Sequence, residues 1–144
     1  MTSAPDSNVD ATSIARGYIR CADVLSSSEW DPDEVWSPET NPDQRAYEIV
    51  DASIRGESAE RAFELVVAIL RESSDGRLAH HAAGPLEDLV RLRGAELVDT
   101  IEREARRDHR FRRALGRIWL RSSALPEDVV RRLVAASGGV IDPL

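Results

Sequence analysis

The chain has 144 residues, is 42% hydrophobic and 31% charged, and carries a formal net charge of −7. That is the make-up of one soluble globular domain with enough chain to bury a core. No apolar run approaches the ~20 residues that a bilayer span demands, and the opening MTSAPDSNVD lacks the basic and apolar regions of a secretory signal, so the expectation is a cytoplasmic protein.

The charge is unevenly spread. Residues 1–60 hold thirteen acids against four arginines, whereas residues 61–144 hold fifteen arginines against thirteen acids. All nineteen basic residues are arginine, which fits GC-rich bacterial coding more than any mechanism. Cys21 is the single cysteine, so an intrachain disulfide is ruled out, and its apolar neighbours mark it as a small buried residue.

In chain order, residues 1–9 are small and polar and predict a disordered tail. Asp10 is placed to cap a helix through Leu25, with Ile14, Tyr18, Ala22 and Leu25 along one side. Residues 26–42 hold three prolines and four serines and predict an irregular segment. Trp30 and Trp36 lie in it among Glu29, Asp31, Asp33 and Glu34. They read first as indoles pinning a loop to the core, and second as an acidic, aromatic surface for a basic partner.

A second helix is expected over Pro42–Arg55, with Tyr47, Val50 and Ile54 inward and Gly56 as its stop. A third starts after Ser58 and carries the most apolar stripe of the chain, Ala62, Leu65, Val66, Ile69 and Leu70. Leu78–Ala83 reads as a short helix broken by Gly84-Pro85, and Leu86–Arg93 as another closed by Gly94. Residues 95–107 form an amphipathic helix. Asp108 caps the next, whose inner stripe is Phe111, Ala114, Leu115, Ile118 and Trp119. Pro126 opens a last helix that Gly138-Gly139 stops, leaving 139–144 as a loose tail.

No stretch alternates between apolar and polar with turn chemistry at both ends, so no sheet is expected. The fold class is all-α: one domain over 10–138, a compact irregular bundle of six to eight short helices with solenoid-like stacking as a variant.

The run Ala83-Gly84-Pro85-Leu86-Glu87-Asp88-Leu89-Val90, then Gly94, an acid-rich helix, Asp108-His109-Arg110-Phe111-Arg112 and Trp119, resembles a family of small uncharacterised bacterial helical proteins. Their signature reads A-G-P-L-E-D-L-L, then D-P-x-F-R and a later tryptophan. His109 stands where that pattern has proline. The resemblance covers about residues 45–120. It implies an all-helical fold, carries no catalytic residues, and through the usual setting of such proteins points to a binding role.

Three groups of residues invite a chemical reading. His80 and His81 with Glu87 are a candidate ligand pocket or metal site, but adjacent histidines diverge by about 100° on a helix and share an ion poorly. Glu87 has a structural use instead, accepting from free backbone N–H groups at the Gly84-Pro85 break. The arginines from 103 to 121 are the strongest local charge feature, and Arg106, Arg110, Arg113 and Arg117 fall on one outer face at helical spacing. That face is either a solvated surface partly paired with the acidic N-terminal half, or a docking surface for phosphate, nucleic acid or an acidic protein. The net negative charge weighs against nucleic acid. G-x-S-x-G, P-loop and G-x-G-x-x-G motifs are absent from the sequence, and no cofactor is implied.

The expected function is therefore a non-enzymatic protein-interaction module of the immunity, antitoxin-like or accessory kind, with a protein partner and with a homodimer left open. The alternatives are a small helical enzyme or ligand-binding protein using His80, His81 and Glu87, and nucleic-acid binding through the arginine-rich helix.

Overall fold

The computed structural model describes residues 10–25, 43–56, 58–120 and 123–141. Trp30 and Trp36 lie outside the described residues. The elements are α1 (Ala11–Leu25), α2 (Asp43–Arg55), α3 (Ala59–Glu72), a 3-10 turn at Asp75–Arg77, the single turn α4 (Leu78–His81), a π-turn at Ala82–Leu86, α5 (Glu87–Arg107), α6 (His109–Leu115) and α7 (Glu127–Ala136). The described residues contain no strand, so the all-α class holds.

Local chemistry explains most of the boundaries. Asp10 accepts from the Thr12 backbone N–H at 3.1 Å, and Ser58 from Arg61 at 3.1 Å. Asp108 accepts from Arg110 and Phe111 at 2.9 and 3.4 Å. Each side chain thus satisfies N–H groups that the first helical turn leaves without a carbonyl. At the other end, Gly138 and Gly139 both take positive φ, 77° and 81°, and their N–H groups return to Ala135 and Val134. That is a left-handed stop for which glycine is suited. The chain then stays on the core: Ser137 accepts from Val140 and Ile141, and Ile141 is 2% exposed.

Helix α3 is the centre. Leu65 to Leu70 are buried without interruption, because α1, α2, α5 and α6 all pack on it. Helix α1 lies across α2 and α3, and α5 carries α6 and α7 on its other flank. Tyr18 and Tyr47 stack between α1 and α2 with ring centres 4.9 Å apart, and Phe63 meets Phe111 edge-on between α3 and α6. Glu104 is 5% exposed and accepts two guanidinium partners, Arg71 at 3.4 Å and Arg107 at 2.9 Å. A buried carboxylate is tolerated there because it is paired.

Four expectations are corrected. Gly94 does not end a helix: α5 runs through it for 21 residues, about 30 Å. Leu125 fills the notch, its methyls 3.4 Å from where a Cβ would stand. Gly84-Pro85 does not break the chain either. The coil widens into a π-turn in which the Glu87 N–H reaches back to the Ala82 carbonyl. A wider turn absorbs the N–H that proline lacks and the ring's clash with the preceding turn. Trp119 is not inside: α6 stops at Leu115, and the chain beyond it runs with Ile118 and Leu120 buried and Trp119 65% exposed. Finally, Arg106, Arg110, Arg113 and Arg117 do not share one helical face. Asp108 adopts extended φ/ψ between α5 and α6, and Arg117 lies past the end of α6, so the helical phase is interrupted twice.

Candidate functional site

Two surfaces collect the polar groups that the sequence singled out. The first is a groove of about 430 Å³ between α6 and the turn after α7. Its walls include His109, Arg112, Arg113, Arg117, Gly138 and Val140. Several arginines elsewhere are matched to acids: Arg16 to Glu72, Arg20 to Asp43, Arg77 to Asp23, and Arg132 to both Asp99 and Glu102. Within the described residues Arg112, Arg113 and Arg117 form no ion pair. Gly138 also places one of them, because a Cβ there would lie 2.7 Å from a guanidinium nitrogen of Arg112.

Next to this groove the chain is strapped to α5. The Trp119 N–H donates to Glu87 Oε1 at 2.7 Å, and the Trp119 carbonyl accepts from Arg91 at 3.1 Å. Glu87 therefore does accept from a backbone N–H, but that of Trp119 and not one at Gly84-Pro85. Burial alternates along the strap, with Arg117 and Trp119 outward and Ile118 and Leu120 inward. Arg117 and the indole are thus both exposed.

Arg110 is turned away from this surface. Its guanidinium donates to the Leu70 carbonyl at 3.1 Å, to the Ser73 carbonyl, and to the Asp75 carboxylate. It closes the last turn of α3, where carbonyls have no intrahelical donor. The Asp75 carboxyl is held below its usual range, first by this bond. Arg106 is exposed on α5, before the Asp108 break.

The second surface is a cleft of about 340 Å³ where α1, α2 and the π-turn meet. Tyr18, Tyr47, His80, His81 and Gly84 contribute to it, and Glu87 does not. The two histidine rings stand 5.5 Å apart at 69°, and no group of three or more His, Cys, Asp or Glu among the described residues is gathered to hold a metal ion. His80 is exposed, whereas His81 is 1% exposed.

The tautomer of His81 follows from its neighbours. Ser73 Oγ lies 2.6 Å from the Ile69 carbonyl and 2.6 Å from His81 Nδ1. The carbonyl can only accept, so it takes the one hydroxyl proton, and Nδ1 must carry its own and donate to Oγ. The neutral ring then presents a bare lone pair at Nε2, which is buried and has no hydrogen-bond partner. Burial lowers the His81 pKa, as do His80 and Arg77, while Asp23 opposes them.

A family model matches residues 30–140. The chain belongs to the family of unknown function DUF6869. The match takes in the groove of this DUF6869 member up to Val140 and the cleft from Tyr47 onward, but not Tyr18 on α1. No curated protein and no solved structure matches the chain. None of the described helices is long and apolar enough to cross a membrane.

Proposed function

We propose that this DUF6869 chain is a non-enzymatic interaction module that docks an acidic segment of a protein partner along the arginine groove and the Trp119 strap. The observation that carries the reading is the unmatched cluster of Arg112, Arg113 and Arg117 on a chain of net charge −7. Cations in a groove of an otherwise acidic molecule attract an anionic partner locally, while the remaining surface repels polyanions at long range. Trp119 supplies the second ingredient. Tryptophan and arginine are the side chains that most often dominate binding energy, and this indole sits on a backbone fixed at both its N–H and its carbonyl. Of the arginines singled out in the sequence, the proposal uses Arg113 and Arg117. Arg110 serves the fold, and Arg106 lies on the other side of the Asp108 break.

A photoreactive side chain at position 140, on the exposed wall of the same groove, tests the idea in producing cells. The expected product is a crosslink to a protein with an acidic surface. The paired substitution Arg113→Glu and Arg117→Glu should remove it, and Trp119→Ala should weaken binding of the identified partner by about tenfold or more. Both variants alter exposed side chains, so melting should stay within about 0.5 kcal/mol of the parent. Crosslinks to nucleic acid, or undiminished capture by the charge-reversed variant, would sink the proposal.

A further inference from the structure

We propose that the cleft at the π-turn binds a small planar cation bearing N–H donors, an amidine or a protonated heteroaromatic amine, with one N–H donated to His81 Nε2 and the charge held near Asp88. This is separate from the arginine groove and does not depend on it.

Four observations converge. The first is His81 itself. A buried acceptor without a donor costs free energy, and here it belongs to a ring whose other nitrogen is fixed on Ser73, outside the cleft. His81 is among the residues that line the cleft, and Nε2 is the ring nitrogen that Ser73 leaves unused. The exposed His80 ring, edge-on at 5.5 Å, is the side chain that an incoming ligand displaces.

The second is the aromatic wall. Tyr18 and Tyr47 are stacked within 3° of parallel, a rigid surface suited to a flat ligand and attractive to positive charge. The third is charge. Asp51 and Asp88 both act on the two tyrosines, and Asp23 acts on His81. Asp23 is matched by Arg77 at 2.9 Å and Asp51 by Arg55 at 3.4 Å. Asp88 makes no ion pair among the described residues, although Arg55 and Arg91 are near enough to act on it, and no arginine lines the cleft. The fourth is the backbone. The π-turn opens the coil at this point, a distortion that is frequent at functional sites, and the space beside Gly84 is empty to 4 Å. The cleft is of the size that takes a small ligand.

The test is an NMR or calorimetric titration of the full chain with benzamidine, benzamide and benzoate, which share shape and differ in charge. Benzamidine should bind saturably at one site and perturb the His81 and Tyr47 resonances, with benzamide weaker and benzoate weakest. Asp88→Asn, an exposed change, should weaken benzamidine several-fold. Gly84→Leu builds into the open space where a Cβ meets nothing within 4 Å and should abolish binding. If Gly84→Leu disturbs folding, the Asp88→Asn result decides. The proposal is overturned if benzamidine does not saturate at millimolar concentration, if the three probes bind alike, or if both variants bind as the parent does. It is also overturned if only the Arg113 and Arg117 resonances respond. The arginine groove reading survives each of these outcomes, since neither variant touches it.

Discussion

His81 is neutral in the folded chain and chargeable in the unfolded one, and the difference has a sign. Burial is the main reason that its folded pKa lies below the ordinary value of 6.5. As pH falls through about 6.5, the unfolded chain binds a proton that the folded chain refuses, so stability drops until the native ring also protonates. Its contribution is therefore complete above about pH 7 and lost below. Thermal unfolding followed from about pH 7.5 to 5 should show a decline that is shallower in His81→Gln, where the remaining decline belongs to other groups. Parallel curves for the two proteins would refute this. Arg110 bears a comparable load at the next turn. Arg110→Ala leaves the Leu70 and Ser73 carbonyls without their charged donor and should cost about 2 kcal/mol, read as a lower denaturant midpoint at unchanged slope. Arg110→Lys should recover only part, since an ammonium cannot fork across separate acceptors.

At the scale of the element, Gly17 shows how a crossing point overrides helix propensity. A Cβ there would lie 2.8 Å from the Cβ of Ala46, where α1 meets α2. In an isolated helix Gly17→Ala would gain about 1 kcal/mol. Here the added methyl presses on a side chain with no rotamer to yield, and such overpacking costs about 1–3 kcal/mol. The variant should melt below the parent, and a melting point at or above it would show that α1 can slide. The same contest between local signal and tertiary contact decides what the sequence reveals. Asp10, Ser58 and Asp108 were legible as caps because each acts within three residues of itself. The α3 stripe was legible because burial repeats along it. Gly94 misled because the helix passes it only when Leu125, thirty-one residues later, fills the notch. Trp119 misled because Gly116 ends α6 early and Glu87 and Arg91 then fix the strand-like turn of the chain. The candidate sites were legible as residue types and not as groupings. Histidines 80 and 81 do share a cleft, but its tyrosine wall comes from two other helices, and Glu87 serves the Trp119 strap.

Over the whole molecule, many described arginines are spent on bonds between elements, among them Arg16, Arg20, Arg71, Arg110 and Arg132. The excess of acids over the first sixty residues leaves the arginine groove as a local exception, and local exceptions give orientation as well as attraction. In the proposed docking, the strap beside it divides the labour of recognition. Guanidiniums act through distance and hasten encounter, an effect that dissolved salt blunts. The indole would act only on contact and govern how long such a complex lasts. Since its main chain is already immobilised between two sunken neighbours, little conformational freedom remains to be surrendered when a partner arrives, and residence on this surface would be set by the quality of fit around one ring.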